Sequence, residues 1–461
     1  MRTQVRLLLV ASLGAAVILP FTATAVAGSS PAPWTAAPSD AVLDWNATAT
    51  SAAVACGFTP EGNPLYESRL YAMTHIAIHD ALNEIRPLYE SYSYSPAGSH
   101  PHASPEAAVA AAATTVLSDG LAEIAPPNCA STLIHHAYVT SLAAIPAGPA
   151  KQQGIAVGVA AARSIEHDRA DDLTGAGAPL TDAHFPQGTR PGQWRFTPDS
   201  PQLAFLPNWG RVTPFTLTNS AQFSPTGPYD VRSRAYARDF NEMKRLGGVD
   251  STDRTPEQTE IALFWVNSSP LQWNAIARSV TAQRGSHLGL WATARLFALL
   301  NSAMADGYIG SFHTKYLDPD TKLFWRPVTA IRLANNDGNP LTRADAGWTP
   351  LRTTPPIPDY DSAHATEGGA AAAVLTAQFG RVSFSACSIS EPATNNSCVN
   401  SGNTAPRLIR HYRSFADAAN ENALSRIYVG FHFRKAAVDG TRHGEQIGAH
   451  AVATTMRRLH R

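Results

Sequence analysis

Helical periodicity runs through most of this 461-residue chain, and strand signals are scarce. In 69–85, Leu70, Met73, Ile76, Ala77 and Ala81 fall on one helical face. Pro105 opens an alanine-rich run to residue 124, with proline in the first turn, where its missing N–H costs nothing. The same spacing predicts helices over 131–144, 154–166, 233–246, 256–265, 273–280, 288–309, 365–379, 408–426 and 431–459. Segment 174–218 is rich in Pro, Gly, Asp and Trp and reads as a long ordered loop; 312–326 and 381–406 read as further excursions. The expected class is all-α, a helical-bundle core with long loops. No internal repeat interrupts it. The length suits one large domain over 28–461, divisible into an N-terminal helical half (28–255) and a C-terminal half (256–461).

Acidic and basic side chains balance at 36 each, so no global field steers the chain to nucleic acid or anionic lipid. Any anion must be captured by a local cluster. Arg2 and Arg6, an apolar run over 7–19 and Ala25-Val26-Ala27 before Gly28 form the pattern of a cleaved export signal over 1–27. The apolar run is broken by Pro20 and is short for a span. No later segment reads as a membrane span, so a secreted protein without stable membrane association is expected. The four cysteines fit an oxidising compartment. Cys387 and Cys398 bracket a short polar loop whose closure is worth on the order of 3 kcal/mol. That leaves Cys56 with Cys129. None has zinc-ligand spacing.

Three short blocks carry chemistry. In Ser425-Arg426-Ile427-Tyr428-Val429-Gly430-Phe431-His432, a helical pattern ends, a glycine turns the chain, and a histidine opens the next helix. Arg426 can bind two oxygens at once, and helix N-termini attract anions. A proline-stiffened loop, 355–361, delivers Ser362, Ala363 and His364 to the start of an alanine-rich helix. Ser362 and the surrounding amides are donors, and His364 is a candidate proton shuttle. In the third block, Arg326 is held between Trp325 and Pro327, with Lys315 and Lys322 upstream. Each block alone also reads as ordinary capping or packing. Together they describe a cradle for a tetrahedral oxyanion.

The arrangement resembles the superfamily of type-2 phosphatidic-acid-phosphatase-like acid phosphatases and vanadium-dependent haloperoxidases, most of all its bacterial secreted haloperoxidase-like branch. That pattern runs Lys-x6-Arg-Pro, Pro-Ser-Gly-His, then Ser-Arg-x3-Gly-x-His. The resemblance implies that His432 is the vanadate ligand in a peroxidase, or the phosphorylated nucleophile in a phosphatase. It implies that His364 is the general acid–base. Lys315, Arg326, Ser362 and Arg426 would hold the anion's oxygens, with the amide of Ala363 where the family has a glycine amide.

Four positions depart from the pattern. Pro319 lies seven residues before Arg326 where the family has lysine; Lys315, displaced by an insertion within 317–323, is preferred over the nearer Lys322. Alanine replaces glycine at 363, so the loop must use an ordinary conformation there or be strained. Phosphatases carry an aspartate four residues after the last histidine, but Ala436 stands here, which leaves that histidine unoriented and weakens the phosphatase reading. Ile357 replaces the aromatic residue of fungal chloroperoxidases, so halide preference does not transfer. Glu260 and Asp306 are candidates for a carboxylate behind His364.

The leading expectation is a vanadate-dependent haloperoxidase-like enzyme acting on hydrogen peroxide, halide and an organic acceptor. A secreted acid phosphatase holding phosphate in the same pocket is the alternative. A non-catalytic phosphate- or sulfate-binding descendant is a third. The sequence leaves the oligomeric state open.

Overall fold

A computed structural model describes residues 40–58, 63–95, 100–175, 177–285, 288–321, 323–392, 397–398 and 407–459. The export signal predicted over 1–27, and Lys322, lie outside the described residues. In chain order the helices are α1 (Ala41–Ala55), α2 (Pro64–Ile85), α3 (Pro105–Ile124), α4 (Ser131–Ala143) and α5 (Pro149–Asp168). Then come α6 (Arg234–Leu246), α7 (Pro256–Phe264), α8 (Ser269–Arg284) and α9 (Gly289–Phe312), which runs on into a π-helical turn, His313–Leu317. The remainder are α10 (Pro327–Leu333), α11 (Ala363–Phe379), α12 (Phe415–Tyr428) and α13 (Arg434–Thr454), with strands β1 (Phe384–Pro392), β2 (Ser397–Cys398) and β3 (Arg407–Tyr412) between α11 and α12. Helix makes up 57% and strand 5%, so the fold class is all-α as expected.

Caps explain most of the helix starts. Asn63, Ser104, Ser233, Ser268 and Ser414 each accept an amide of the first turn, and Thr255 forms a reciprocal capping box with Gln258. Proline occupies the first turn of α2, α3, α5, α7, α8 and α10.

Three helices are buried on nearly every side and must be interior. These are α2, α9 and α11, with α2 against α9 and α3, and α11 between α9 and α13. The contact of α11 with α13 is backbone to backbone. Gly440, Gly444 and Gly448 repeat every four residues along α13, and a Cβ on any of them would collide with the carbonyl of Ser362, Thr366 or Ala370. Ser39–Arg461 form one compact unit.

Several expectations need correction. Helix α1 follows an Asp40 cap that the sequence reading passed over. The helix predicted over 408–426 begins as strand β3, and α12 starts only at Phe415, behind the Ser414 cap. The excursion at 381–406 includes β1 and β2, which flank β3 in an antiparallel order β1-β3-β2, Phe384 opposite Tyr412. Pairing of 407–412 with β1 on one side and β2 on the other outweighs the helical pattern that follows it. By length and composition α3 could cross a membrane, contrary to the reading that no later segment could, but 61% of its apolar window is buried inside this fold.

The segment 174–218 is irregular, as expected, and anchored by buried Trp194 and Trp209. It also buttresses the segment before Arg326 and the proline loop: the Trp194 amide donates to Leu323 O, and the Phe205 amide to Pro356 O. The disulfide Cys56–Cys129 closes as predicted. Cys387 is also disulfide-bonded; the side chain of Cys398 is outside what the structure describes.

Candidate active site

The three blocks meet in one buried cluster. Arg326 caps α10, with Pro327 in the first turn, and is fully buried. Its Nε donates to Ile357 O (2.7 Å) and its Nη1 to Phe431 O (2.8 Å), so it spans the other two blocks. The same Nη1 stands beside the His432 ring, 2.9 Å from Nε2 and 3.3 Å from Nδ1. Its Nη2 is buried and has no protein acceptor.

Helix α12 ends in a Schellman turn: the Gly430 amide bonds Ile427 O and the Phe431 amide bonds Arg426 O. Gly430 has φ +90°, and any Cβ there would meet Gly247 O and Pro350, so glycine is required. The turn sets His432 two residues before α13 and puts Arg426 on the last turn of α12. Arg426 donates from Nη2 to Trp265 O (2.9 Å) and from Nε to Ser425 Oγ (3.1 Å).

Ser362 is the N-cap residue of α11, yet its hydroxyl caps nothing. The Oγ is buried without a partner. Ala363 is the first helical residue and is not among the residues with positive φ, so alanine replaces glycine without strain. His364 follows, the one partly exposed member of the set, with its Nε2 buried and unpartnered.

Lys315 sits in the π-helical turn, fully buried, and its Nζ donates to Pro358 O (2.9 Å), Asp359 O (3.0 Å) and Asp361 O. An ammonium has three donors, and all three are used on one loop. Lys315 therefore fastens the loop and acts on the pocket as a charge. Burial, then repulsion from Arg326, pulls it down to about 7 against the attraction of Asp361 and Asp359.

Two aspartates of the loop were not anticipated. His432 Nδ1 lies 3.0 Å from Oδ1 of buried Asp359, so a carboxylate stands beside the histidine although position 436 is alanine. This carboxylate comes from the proline loop, not from the following helix. Burial raises Asp359 to about 7 while Arg326 and Lys315 oppose it. Asp361 accepts from Ser311 Oγ (2.6 Å) and pairs with His443 Nδ1 (2.8 Å), which locks the loop to α9 and α13. Burial pushes Asp361 up, but His443 and Lys315 outweigh it and hold the carboxyl below its usual range. The Pro-Asp-Tyr-Asp string was the only sequence signal for either.

The carboxylates proposed behind His364 are elsewhere. Glu260 is exposed and pairs with Arg410 at 3.6 Å. Asp306 accepts the amides of Phe215 (2.6 Å) and Thr216 (2.7 Å), pinning the long loop. His364 instead interacts with the Trp265 backbone; burial, then repulsion from Arg426, keeps it well below the ordinary histidine value. His432 is likewise held far down, by burial and then Arg326, Lys315 and Arg426. Both imidazoles are neutral at neutral pH. Burial also lowers Arg326 to about 10 and Arg426 to about 9, which leaves both charged.

Unpaired buried donors beside two guanidiniums, Lys315 and two neutral imidazoles suit a tetrahedral oxyanion, whose several oxygens accept at once. Among the described residues no group of three or more His, Cys, Asp or Glu forms a cation site. Vanadate, delivered as an anion, fits this donor set, as does phosphate.

The fold is a helical bundle of the type seen in vanadium haloperoxidases. Residues 295–461 match the model of the VCPO second helical-bundle domain. The chain is 29% identical over 297 residues to a vanadium chloroperoxidase of Curvularia inaequalis, a match spanning 51% of this chain and 47% of that relative. The fold is that of a bacterial vanadium-dependent iodoperoxidase (TM-score 0.73, 24% identity, 94% of this chain and 100% of the other). A holo-type bacterial vanadium-dependent chloroperoxidase is also similar (TM-score 0.63, 17% identity, 90% and 95%).

Proposed function

We propose that this protein is a haloperoxidase-like enzyme that uses vanadate to oxidise halide with hydrogen peroxide, passing the oxidised halogen to an organic acceptor. The observation that carries it is the set of buried donors without acceptors, Arg326 Nη2 and Ser362 Oγ, gathered around a neutral His432. His432 would hold the group through Nε2, while Arg326, Arg426, Ser362 and the Ala363 amide would take its oxygens. Lys315 adds charge from behind the loop. Bound vanadate would supply a Lewis-acid centre at which peroxide is activated without redox change at the metal. His364, neutral and partly exposed, would receive the peroxide proton at its unpartnered Nε2.

The test is halogenation of a phenolic dye with vanadate added stepwise, alongside metal analysis of the purified protein. Turnover that rises with vanadate supports the reading; no vanadate-stimulated activity with chloride, bromide or iodide overturns it. An acid phosphatase is the second reading, favoured by one observation: Asp359 beside His432 can orient a nucleophile. Vanadate would then inhibit phosphate-ester hydrolysis instead of activating halogenation. We also propose that the protein is exported, which the Cys56–Cys129 disulfide supports. Amino-terminal sequencing of protein from the medium tests this: a start after residue 27 is expected.

A further inference from the structure

Arg426 is 3% exposed, and each acceptor it bonds is uncharged. A carboxylate partner would cancel its positive charge, whereas a carbonyl and a hydroxyl hold the guanidinium and leave that charge for an anion. The carbonyl belongs to Trp265, which lies outside the three blocks that build the pocket. We infer that Trp265 is a positioning residue: its carbonyl holds Arg426 in the pocket, and its indole fixes where that carbonyl stands. The inference rests on the reading that Arg426 holds an oxyanion.

Trp265 is the C-cap residue of α7. The last carbonyls of a helix have no partner within it, and that end of the helix carries partial negative charge. A buried guanidinium answers both needs, and Arg426 Nη2 takes the Trp265 carbonyl at 2.9 Å. The other end of Trp265 is anchored on the same helix as Arg426. Its indole Nε1 donates to Oε1 of Glu421 (3.1 Å), one residue of α12 and Arg426 another. Trp265 is therefore attached at two points, about 7.5 Å apart along the α12 axis. Its ring is buried against Trp273 (5.5 Å between ring centroids) and Phe264 (5.2 Å).

Glu421 is held in turn from the small sheet. Arg410 of β3 donates to both its oxygens (3.1 and 2.7 Å), and Tyr412 OH donates to Oε1 (2.7 Å). Arg410 also reaches Glu257 in the first turn of α7 (2.6 Å). The strand thus ties the start of α7 to α12, and Trp265 ties its end. With Nε committed to Ser425 and Nη2 to Trp265, Nη1 is the nitrogen of Arg426 that remains for an anion oxygen.

The experiment is a double-mutant cycle on oxyanion affinity, with orthovanadate and inorganic phosphate as probes in calorimetry. Its members are wild type, Trp265→Phe, Arg426→Ala and the double variant. Phenylalanine keeps an aromatic ring and the main-chain carbonyl but has no N–H for Glu421. Trp265→Phe should weaken binding about three- to tenfold when Arg426 is present and change nothing when it is alanine. Equal weakening in both backgrounds, or none in either, overturns the inference. If Trp265→Phe does not melt cooperatively, Glu421→Leu, which removes the acceptor of the indole, takes its place in the cycle. Guanidinium ¹⁵N–¹H signals of Arg426 in the anion-free proteins read the tether directly. Rotation about Nε–Cζ should be slow in wild type and faster in Trp265→Phe; equal rates count against the inference. A wild type that binds neither anion defeats the oxyanion reading, while those rates still decide whether Trp265 holds Arg426.

Discussion

Two buried polar clusters lie within this bundle, and they are finished differently. In one, Asn46 Nδ2 donates to Asn274 Oδ1 (2.7 Å), and Asn274 Nδ2 to Asn301 Oδ1 (2.8 Å). His75 pairs with Asn46 at Nε2 (3.0 Å) and with Tyr71 O at Nδ1 (2.8 Å). Arg278 closes the end on Asn46 Oδ1, while Tyr71 OH continues the chain to Glu67 (2.7 Å). The pocket is the opposite case: Arg326 Nη2, Ser362 Oγ and His364 Nε2 are buried with nothing to bind. A satisfied network specifies packing, whereas donors left open specify a guest.

Breaking each cluster should therefore move different quantities. Arg326→Ala should weaken orthovanadate binding about 10²–10³-fold by calorimetry, as loss of an anion-hole donor does elsewhere. A loss of stability with affinity intact would erase the contrast. Glu67 gives a pH signature to the satisfied cluster. Burial raises its carboxyl to about 7, although Ser268 and Tyr71 pull the other way. The folded protein then binds a proton that the unfolded chain releases near 4.5. Stability from this group is full below 4.5 and is lost as pH rises through about 7, by about 3 kcal/mol. Denaturant melts across that range should show the fall in wild type and its absence in Glu67→Gln.

Asn274→Ala should cost about 2 kcal/mol in the same melts, because it strands partners on Asn46 and Asn301, while leaving orthovanadate affinity unchanged. Ser362→Ala is the mildest. Removing a hydroxyl that bonds nothing should leave stability within about 1 kcal/mol of wild type and reduce anion affinity by about tenfold.

The bundle and the cradle were legible because both are written locally. Helical spacing and caps mark most elements, and Arg326, Ser362, His364, Arg426 and His432 sit in short strings whose chemistry needs them adjacent. Lys315 was singled out despite its shifted spacing, and its ammonium binds the proline loop. What was hidden depends on distant partners. Asp359 meets His432 across the fold, and nothing near Ala436 in the chain announces the exchange. Asp306 and Glu260 looked alike in sequence, yet one pins a loop and the other faces solvent. The β3 strand was masked by the alanine-rich helix that follows it, although Ser414 marked the boundary.

The glycines of α13 have a consequence for the pocket's dimensions. His364 rides on the first turn of α11, and His432 leads into α13; the separation of these two helices is fixed by backbone resting on backbone. Side chains can change rotamer to absorb a perturbation, but main chains in contact cannot. The interval between the two imidazoles is therefore a gauge with no adjustment. The surrounding loops can diverge in length and composition while the size of anion the pocket measures stays the same.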